Sequence, residues 1–136
     1  MSSASECSKP VSILLVDDDI GMVDTLTDIF EAVHHRVLSA GSGAAAVAEL
    51  GEKPVDVVLM DIQMPGLNGV QALRAIKDRA PDLPVIMMTA YTRDELVQEA
   101  ERISGRAVLR KPLDVPLVLT LIAEIGCDEC GREPRP

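Results

Sequence analysis

The chain has 136 residues, 47 % of them hydrophobic and only 1 % aromatic, with thirteen Lys+Arg against twenty-two Asp+Glu for a net charge of -9. That length suits one domain, and that apolar content excludes an intrinsically disordered chain. With one Phe, one Tyr and no Trp, base stacking on aromatic platforms is not expected, and the acidic balance opposes direct binding to nucleic acid or anionic membrane. No apolar stretch approaches the roughly 20 residues that span a bilayer. Residues 1–10 are polar and lack the apolar core of a secretion signal, so a cytoplasmic chain is expected. Cys7, Cys127 and Cys130 are three in number and lie near the ends, which is no disulfide framework.

The Ser-rich residues 1–10 are expected to form a flexible tail. Ser12 to Val16 is a short apolar run that stops at Asp17-Asp18-Asp19. From Ile20 the spacing becomes helical, with Met22, Leu26, Ile29 and Val33 on one face. An aspartate just before such a run can cap the helix, so at least one of the three has a purely structural role available. His34 to Leu38 is expected to begin a second strand, Gly41-Ser42-Gly43 a turn or cap, and Ala44 to Leu50 a small-residue helix. Val55 to Met60 is rich in β-branched residues and ends in Asp61, before the turn signal Pro65-Gly66. A helical pattern restarts near Asn68, carried by Val70, Leu73 and Ile76, and ends by Pro81.

Pro84 to Met88 predicts another buried strand, ended by Thr89-Ala90. Leu96, Val97, Ala100 and Ile103 mark a helix finished around Ser104-Gly105. Ala107 to Leu109 predicts a brief strand before Arg110-Lys111-Pro112. Leu117, Val118, Leu121, Ile122 and Ile125 predict the face of a last helix, which Gly126 is expected to stop. Residues 127–136 are then a C-terminal tail carrying the Cys127–Cys130 pair in CxxC spacing. Half a zinc site or a redox pair is the sharper possibility there, but two reduced thiols are favoured because tetrahedral zinc needs four ligands. Continuous apolar strands alternating with helices imply an α/β fold, a doubly wound parallel sheet with helices on both faces.

Polar residues gather where a structural chain would not need them, at the ends of successive strands: Asp17-Asp18-Asp19, Asp61, Thr89 and Lys111. In a parallel sheet all carboxyl ends share one edge, where such folds bind ligands. Crowded carboxylates repel unless a cation is present, and hard oxygen donors of this kind suit Mg²⁺. An amine and a hydroxyl serve an anion. The set is what phosphoryl transfer to a carboxylate requires.

Leu14 to Asp19, Leu59 to Gly69, Met87 to Tyr91 and Leu109 to Leu113 together resemble the signatures of response regulator receiver domains in two-component signal transduction. The resemblance covers about Val11 to Ile125 and places the receiver domain at residues 11–126. It implies a five-stranded sheet of order 2-1-3-4-5, the flavodoxin-like arrangement of receivers. It also implies that Asp61 accepts a phosphoryl group from the phosphohistidine of a histidine kinase or phosphotransfer protein, switching a partner-binding surface. Asp18, Asp61 and the backbone carbonyl of Gln63 would hold Mg²⁺ directly, and Asp17 through water. Lys111 would pair with Asp61, Thr89 would bind the phosphoryl group, and the Lys111–Pro112 bond would be cis.

By the same resemblance the chain is a phosphoacceptor rather than an enzyme, acting only on its own phosphorylation and dephosphorylation. Its downstream target is another protein or an output domain, and homodimers through the fourth and fifth helices are a family option. Val108 departs from the pattern by standing where receivers usually carry Tyr or Phe. Two alternatives remain: a Mg²⁺-dependent hydrolase with an aspartyl-phosphate intermediate, and the receiver part of a longer transcriptional regulator. The hydrolase needs a general acid two residues past the nucleophile, where this chain has Gln63.

Overall fold

The structure, a computed structural model, describes residues 10–63, 69–90 and 94–132, with the side chains of 94 and 127–132 outside that description. Among the described residues five strands, β1 (Ser12–Val16), β2 (Arg36–Ala40), β3 (Val57–Asp61), β4 (Val85–Thr89) and β5 (Leu109–Arg110), alternate with five helices. These are α1 (Ile20–Ala32), α2 (Gly43–Leu50), α3 (Gly69–Arg79), α4 (Asp94–Ser104) and α5 (Val115–Arg132). The sheet is parallel throughout, in the order β2-β1-β3-β4-β5.

Side chains alternate across the pleat, so β1, β3 and β4, covered on both faces, are apolar almost throughout, whereas the edge strand β2 exposes Arg36 and Ser39. Leu14, Val16, Val58, Met60, Val85 and Met87 pack with Ala46 of α2, Leu73 and Ile76 of α3 and Ala100 of α4. Ile13, Leu15, Val57, Leu59, Ile86 and Met88 face the other way, onto Leu26 and Phe30 of α1 and Val118, Ile122 and Ile125 of α5. β3, the middle strand, is buried along its whole length, so Asp61 ends it inside the protein rather than on a surface.

Three boundaries differ from the sequence expectation. His34 and His35 do not begin β2 but close α1. His34 takes φ +75°, its N–H donates to the Glu31 carbonyl at 2.9 Å, and the His35 N–H reaches the Phe30 carbonyl at 3.0 Å. That is the pairing of a Schellman cap, with histidine in the left-handed position that glycine usually fills. At the far end, Gly126 does not stop α5, which runs on to Arg132. Gly105, after α4, is the glycine with positive φ among the described residues. An interior glycine in ordinary helical geometry costs about 1 kcal/mol, too little to break a helix anchored by Val118, Ile122 and Ile125. Cys127 and Cys130 therefore lie within the helix. β5 also starts later than expected, at Leu109. Residues 1–9 and 133–136 of the expected tails lie outside the described residues.

The His35 ring accepts the Val11 N–H on Nδ1 at 3.2 Å and lies against Phe30, with ring centroids 6.5 Å apart. Burial first, and the neighbouring His34 second, hold its pKa below the usual histidine range. The folded chain thus binds this proton less readily than the unfolded chain. His35 contributes stability that is complete above the unfolded value, about pH 6.5, and lost as pH falls through the lower folded value. Urea midpoints of the wild type should drop across that window more than those of His35→Asn. A wild-type minus variant difference that stays constant with pH would refute the assignment.

Candidate functional site

Each site residue is placed by the end of a strand or the turn after it. Asp17 follows β1, and its N–H donates to the Ala40 carbonyl at 3.2 Å, extending the β1–β2 ladder by one residue. Its Oδ1 accepts the Asp19 N–H at 3.0 Å, which leaves Oδ2 for the site. Asp19 caps α1 by accepting the Met22 N–H at 3.3 Å. The structural role expected of one aspartate in the triplet therefore falls to Asp19, and Asp17 and Asp18 remain for chemistry. Asp61 Oδ1 accepts the Gln63 N–H at 3.0 Å, which fixes the carboxylate plane and aims Oδ2 at Lys111.

Lys111 reaches the sheet edge from just past β5. Its N–H donates to the Thr89 carbonyl at 2.8 Å, and its Nζ bridges Asp61 Oδ2 at 2.8 Å and Asp17 Oδ2 at 2.9 Å. The following Lys111–Pro112 bond is cis, as expected. Thr89 ends β4 with 1 % of its surface exposed, one residue past Met88, the partner of Asp61 across the β3–β4 pair. Asp17 and Asp61 are 3 % and 5 % exposed, whereas Asp18 faces solvent. One carboxylate oxygen from each of the three aspartates lies within 4.8 Å of the other two.

Burial pushes the Asp61 carboxyl up, and the Lys111 and Gln63 hydrogen bonds recover only part of that, with Asp17 adding repulsion. For Lys111 burial disfavours the ammonium, but the hydrogen bonds and charges of Asp61 and Asp17 outweigh it, and its pKa is raised. The ammonium is therefore a permanent charge at neutral pH. Three carboxylates against one ammonium leave two negative charges in the pocket. Hard oxygen donors with that residual charge fit a divalent cation such as Mg²⁺.

The structure thus brings together Asp17, Asp18, Asp61, Thr89 and Lys111, from four strand ends remote in sequence, with Gln63 on the adjoining turn. The bond from Lys111 to Asp17 was not among the sequence expectations, which paired Lys111 with Asp61 alone. Gly69 was also missed as a positioning residue. Its N–H donates to the Ile62 carbonyl at 2.7 Å, and a Cβ on it would lie 2.3 Å from the Asp61 carbonyl oxygen. A glycine opening a helix soon after a strand that ends in a carboxylate was the available signal.

The family described as "Response regulator receiver domain" matches residues 13–123. The chain belongs to it. Among curated relatives it is 39 % identical to "Transcriptional regulatory protein ZraR" of Klebsiella oxytoca over 91 % of this chain but 28 % of that protein. "Response regulator protein FleR" of Pseudomonas aeruginosa is 35 % identical over 82 % of this chain and 24 % of its own length. The chain thus spans about a quarter of these regulators. It is also 39 % identical to "Protein PilH" of Pseudomonas aeruginosa, covering 81 % of this chain and 93 % of that one.

Among solved structures, a CheY-like receiver domain protein of Methanospirillum hungatei JF-1 superposes with a TM-score of 0.83 at 26 % identity, covering 92 % and 99 % of the two chains. A CheX-CheY-BeF3-Mg complex from Borrelia burgdorferi gives 0.78 at 29 % identity, covering 85 % and 89 %. The receiver assignment makes this chain a phosphoacceptor signalling module of two-component systems, and the acidic pocket is where receivers bind Mg²⁺. Among the described residues no helix is long and apolar enough to cross a membrane.

Proposed function

We propose that Asp61 is the phosphoacceptor, taking the group from a phosphohistidine on a sensor kinase or phosphotransfer protein. Lys111 Nζ, held between Asp61 and Asp17 at the rim of the three-carboxylate cluster, is the observation that carries this reading. A carboxylate oxygen of Asp61 forms the new P–O bond while the P–N bond breaks and the imidazole leaves with its electron pair. The Gln63 N–H holds the nucleophile's other oxygen, so the carboxylate is oriented before the donor arrives. Lys111 neutralises charge on the transferring oxygens, and the Thr89 hydroxyl at the neighbouring strand end donates a hydrogen bond to a phosphoryl oxygen.

Asp18, Asp61 and the Gln63 carbonyl would hold Mg²⁺, with Asp17 acting through a bound water. The bound ion supplies charge neutralisation for the phosphoryl oxygens. The chain catalyses only its own phosphorylation and dephosphorylation, in the cytoplasm where such donors act. New charge at Asp61 then biases a partner-binding surface, with α4 and α5 the faces for a downstream protein or a second copy. Leu117 of α5, 43 % exposed, offers apolar surface there. The coverage of the longer relatives supports the further reading of a receiver within a larger regulator, while the match along most of PilH supports a stand-alone one.

Incubation with a small phosphodonor and Mg²⁺ should add one phosphate, stable to acid and labile to base, by intact mass. Chelating the metal should abolish the addition. Absence of labelling in a folded sample with metal present would overturn the proposal.

A further inference from the structure

Beyond the site itself, a side chain of α4 is tied to the residue that precedes β5, the strand that leads to Lys111. Glu101, on the last turns of α4, accepts the backbone N–H of Val108 on Oε2 at 3.1 Å. Val108 is 8 % exposed, so this N–H has little access to water and depends on the carboxylate. Next along the chain, β5 contributes only Leu109 and Arg110 to the sheet, opposite Met88 and Thr89. Lys111 follows, bonded through its backbone to Thr89 and through Nζ to Asp61. A short path therefore joins the acceptor carboxylate to α4: Asp61, Lys111, the two-residue strand, the Val108 N–H and Glu101.

The neighbouring contacts make that path selective. Ser104 Oγ accepts the Arg106 N–H and donates to the Arg106 carbonyl, both at 3.2 Å, and Gly105 takes φ +74°, so the α4–β5 link is a defined turn. Glu99, on the same helix, pairs instead with Arg74 of α3 and lies 3.9 Å from Arg102. Glu99 holds the helix to α3, and Glu101 holds it to the entry of β5. A strand with only two paired residues is the weakest-held member of the sheet. A change in the pull on Lys111 is then passed along it rather than absorbed by a ladder.

We propose that Glu101 is a positioning residue that couples α4 to the occupancy of the Asp61 site through the Val108 N–H. The inference rests on the acceptor role of Asp61, and the experiment separates the two. Amide spectra of the wild type, Glu101→Gln and Glu101→Ala would be recorded with and without beryllofluoride and Mg²⁺. In the wild type the Gln63, Val108 and α4 amides should all shift. Glu101→Gln keeps an acceptor oxygen and should behave like the wild type. In Glu101→Ala the Gln63 amide should still shift, the response of Leu96 to Ile103 should fall by at least half, and Val108 exchange should quicken about tenfold.

A full α4 response in folded Glu101→Ala would overturn the coupling. Were that variant not to fold, the wild type alone decides, since an unmoved Val108 amide beside a shifted Gln63 amide overturns it equally. Absence of any shift at Gln63 in the wild type would instead strike the acceptor reading.

Discussion

Asp61→Asn is expected to take up no phosphate from any donor while its melting temperature, measured with metal chelated, does not fall. The first half follows from chemistry, because an amide oxygen is not nucleophilic enough to replace a carboxylate at phosphorus. The second follows from the electrostatics of the pocket. Burial raises the Asp61 pKa, and Lys111 and the Gln63 N–H do not bring it back to the usual value. A carboxyl with a raised folded-state pKa makes stability fall as pH rises through the window between the unfolded and folded values, and the loss persists above it. At neutral pH the ionised Asp61 is therefore a net burden on the fold, and a neutral isostere lifts it. Lys111 keeps Asp17 as its partner in the variant, so no buried ammonium is stranded. Intact mass after phosphodonor treatment and thermal melts across neutral pH check both halves. Labelling of the variant equal to the wild type, or a marked loss of stability, would count against the assignment.

Much of this arrangement was legible in the sequence because two simple periodicities dominate it. The apolar runs of β1, β3 and β4 are continuous since both sheet faces are covered, and polar residues stand at four strand ends: Asp17 after β1, Asp61 on β3, Thr89 on β4 and Lys111 after β5. Strand order was not in the periodicity. It came from the resemblance, and β2-β1-β3-β4-β5 bears it out. What escaped depends on backbone conformation and on contacts remote in sequence. Nothing local marks His34 as a left-handed cap, because histidine accepts that region without requiring it. Gly126 carries the usual stop signal of a helix, yet the packing of Val118, Ile122 and Ile125 carries α5 past it. The second partner of Lys111, and the link from Glu101 to Val108, join elements whose juxtaposition only the fold establishes. The valine at the usual aromatic position was visible at once, whereas the N–H it donates was not.

Gly69→Ala should be among the most damaging single-methyl changes available to this chain. The added Cβ would sit 2.3 Å from the Asp61 carbonyl oxygen, 2.5 Å from the Ile62 Cα and 2.9 Å from the Ile62 carbonyl oxygen. All three are main-chain atoms, so no side chain can turn away to relieve the overlap. The backbone they belong to ends a strand buried on both faces, and Ile62 N–H is held by the Met88 carbonyl at 2.9 Å. Relief must come from moving α3 off the sheet or moving the acceptor's own main chain. Overpacking a core typically costs about 1–3 kcal/mol, and a backbone clash belongs at or above the top of that range. For a domain of this size that corresponds to a fall in melting temperature on the order of 10 °C. Phosphorylation of the fraction that folds should also slow by at least about tenfold, because a nucleophile displaced by a fraction of an ångström loses its alignment. Gly41→Ala is the matched control, since a Cβ there meets nothing within 4 Å and should leave both measurements near the wild type. If the two variants melt together and label at one rate, the close approach of α3 to the Asp61 main chain is not what positions the acceptor.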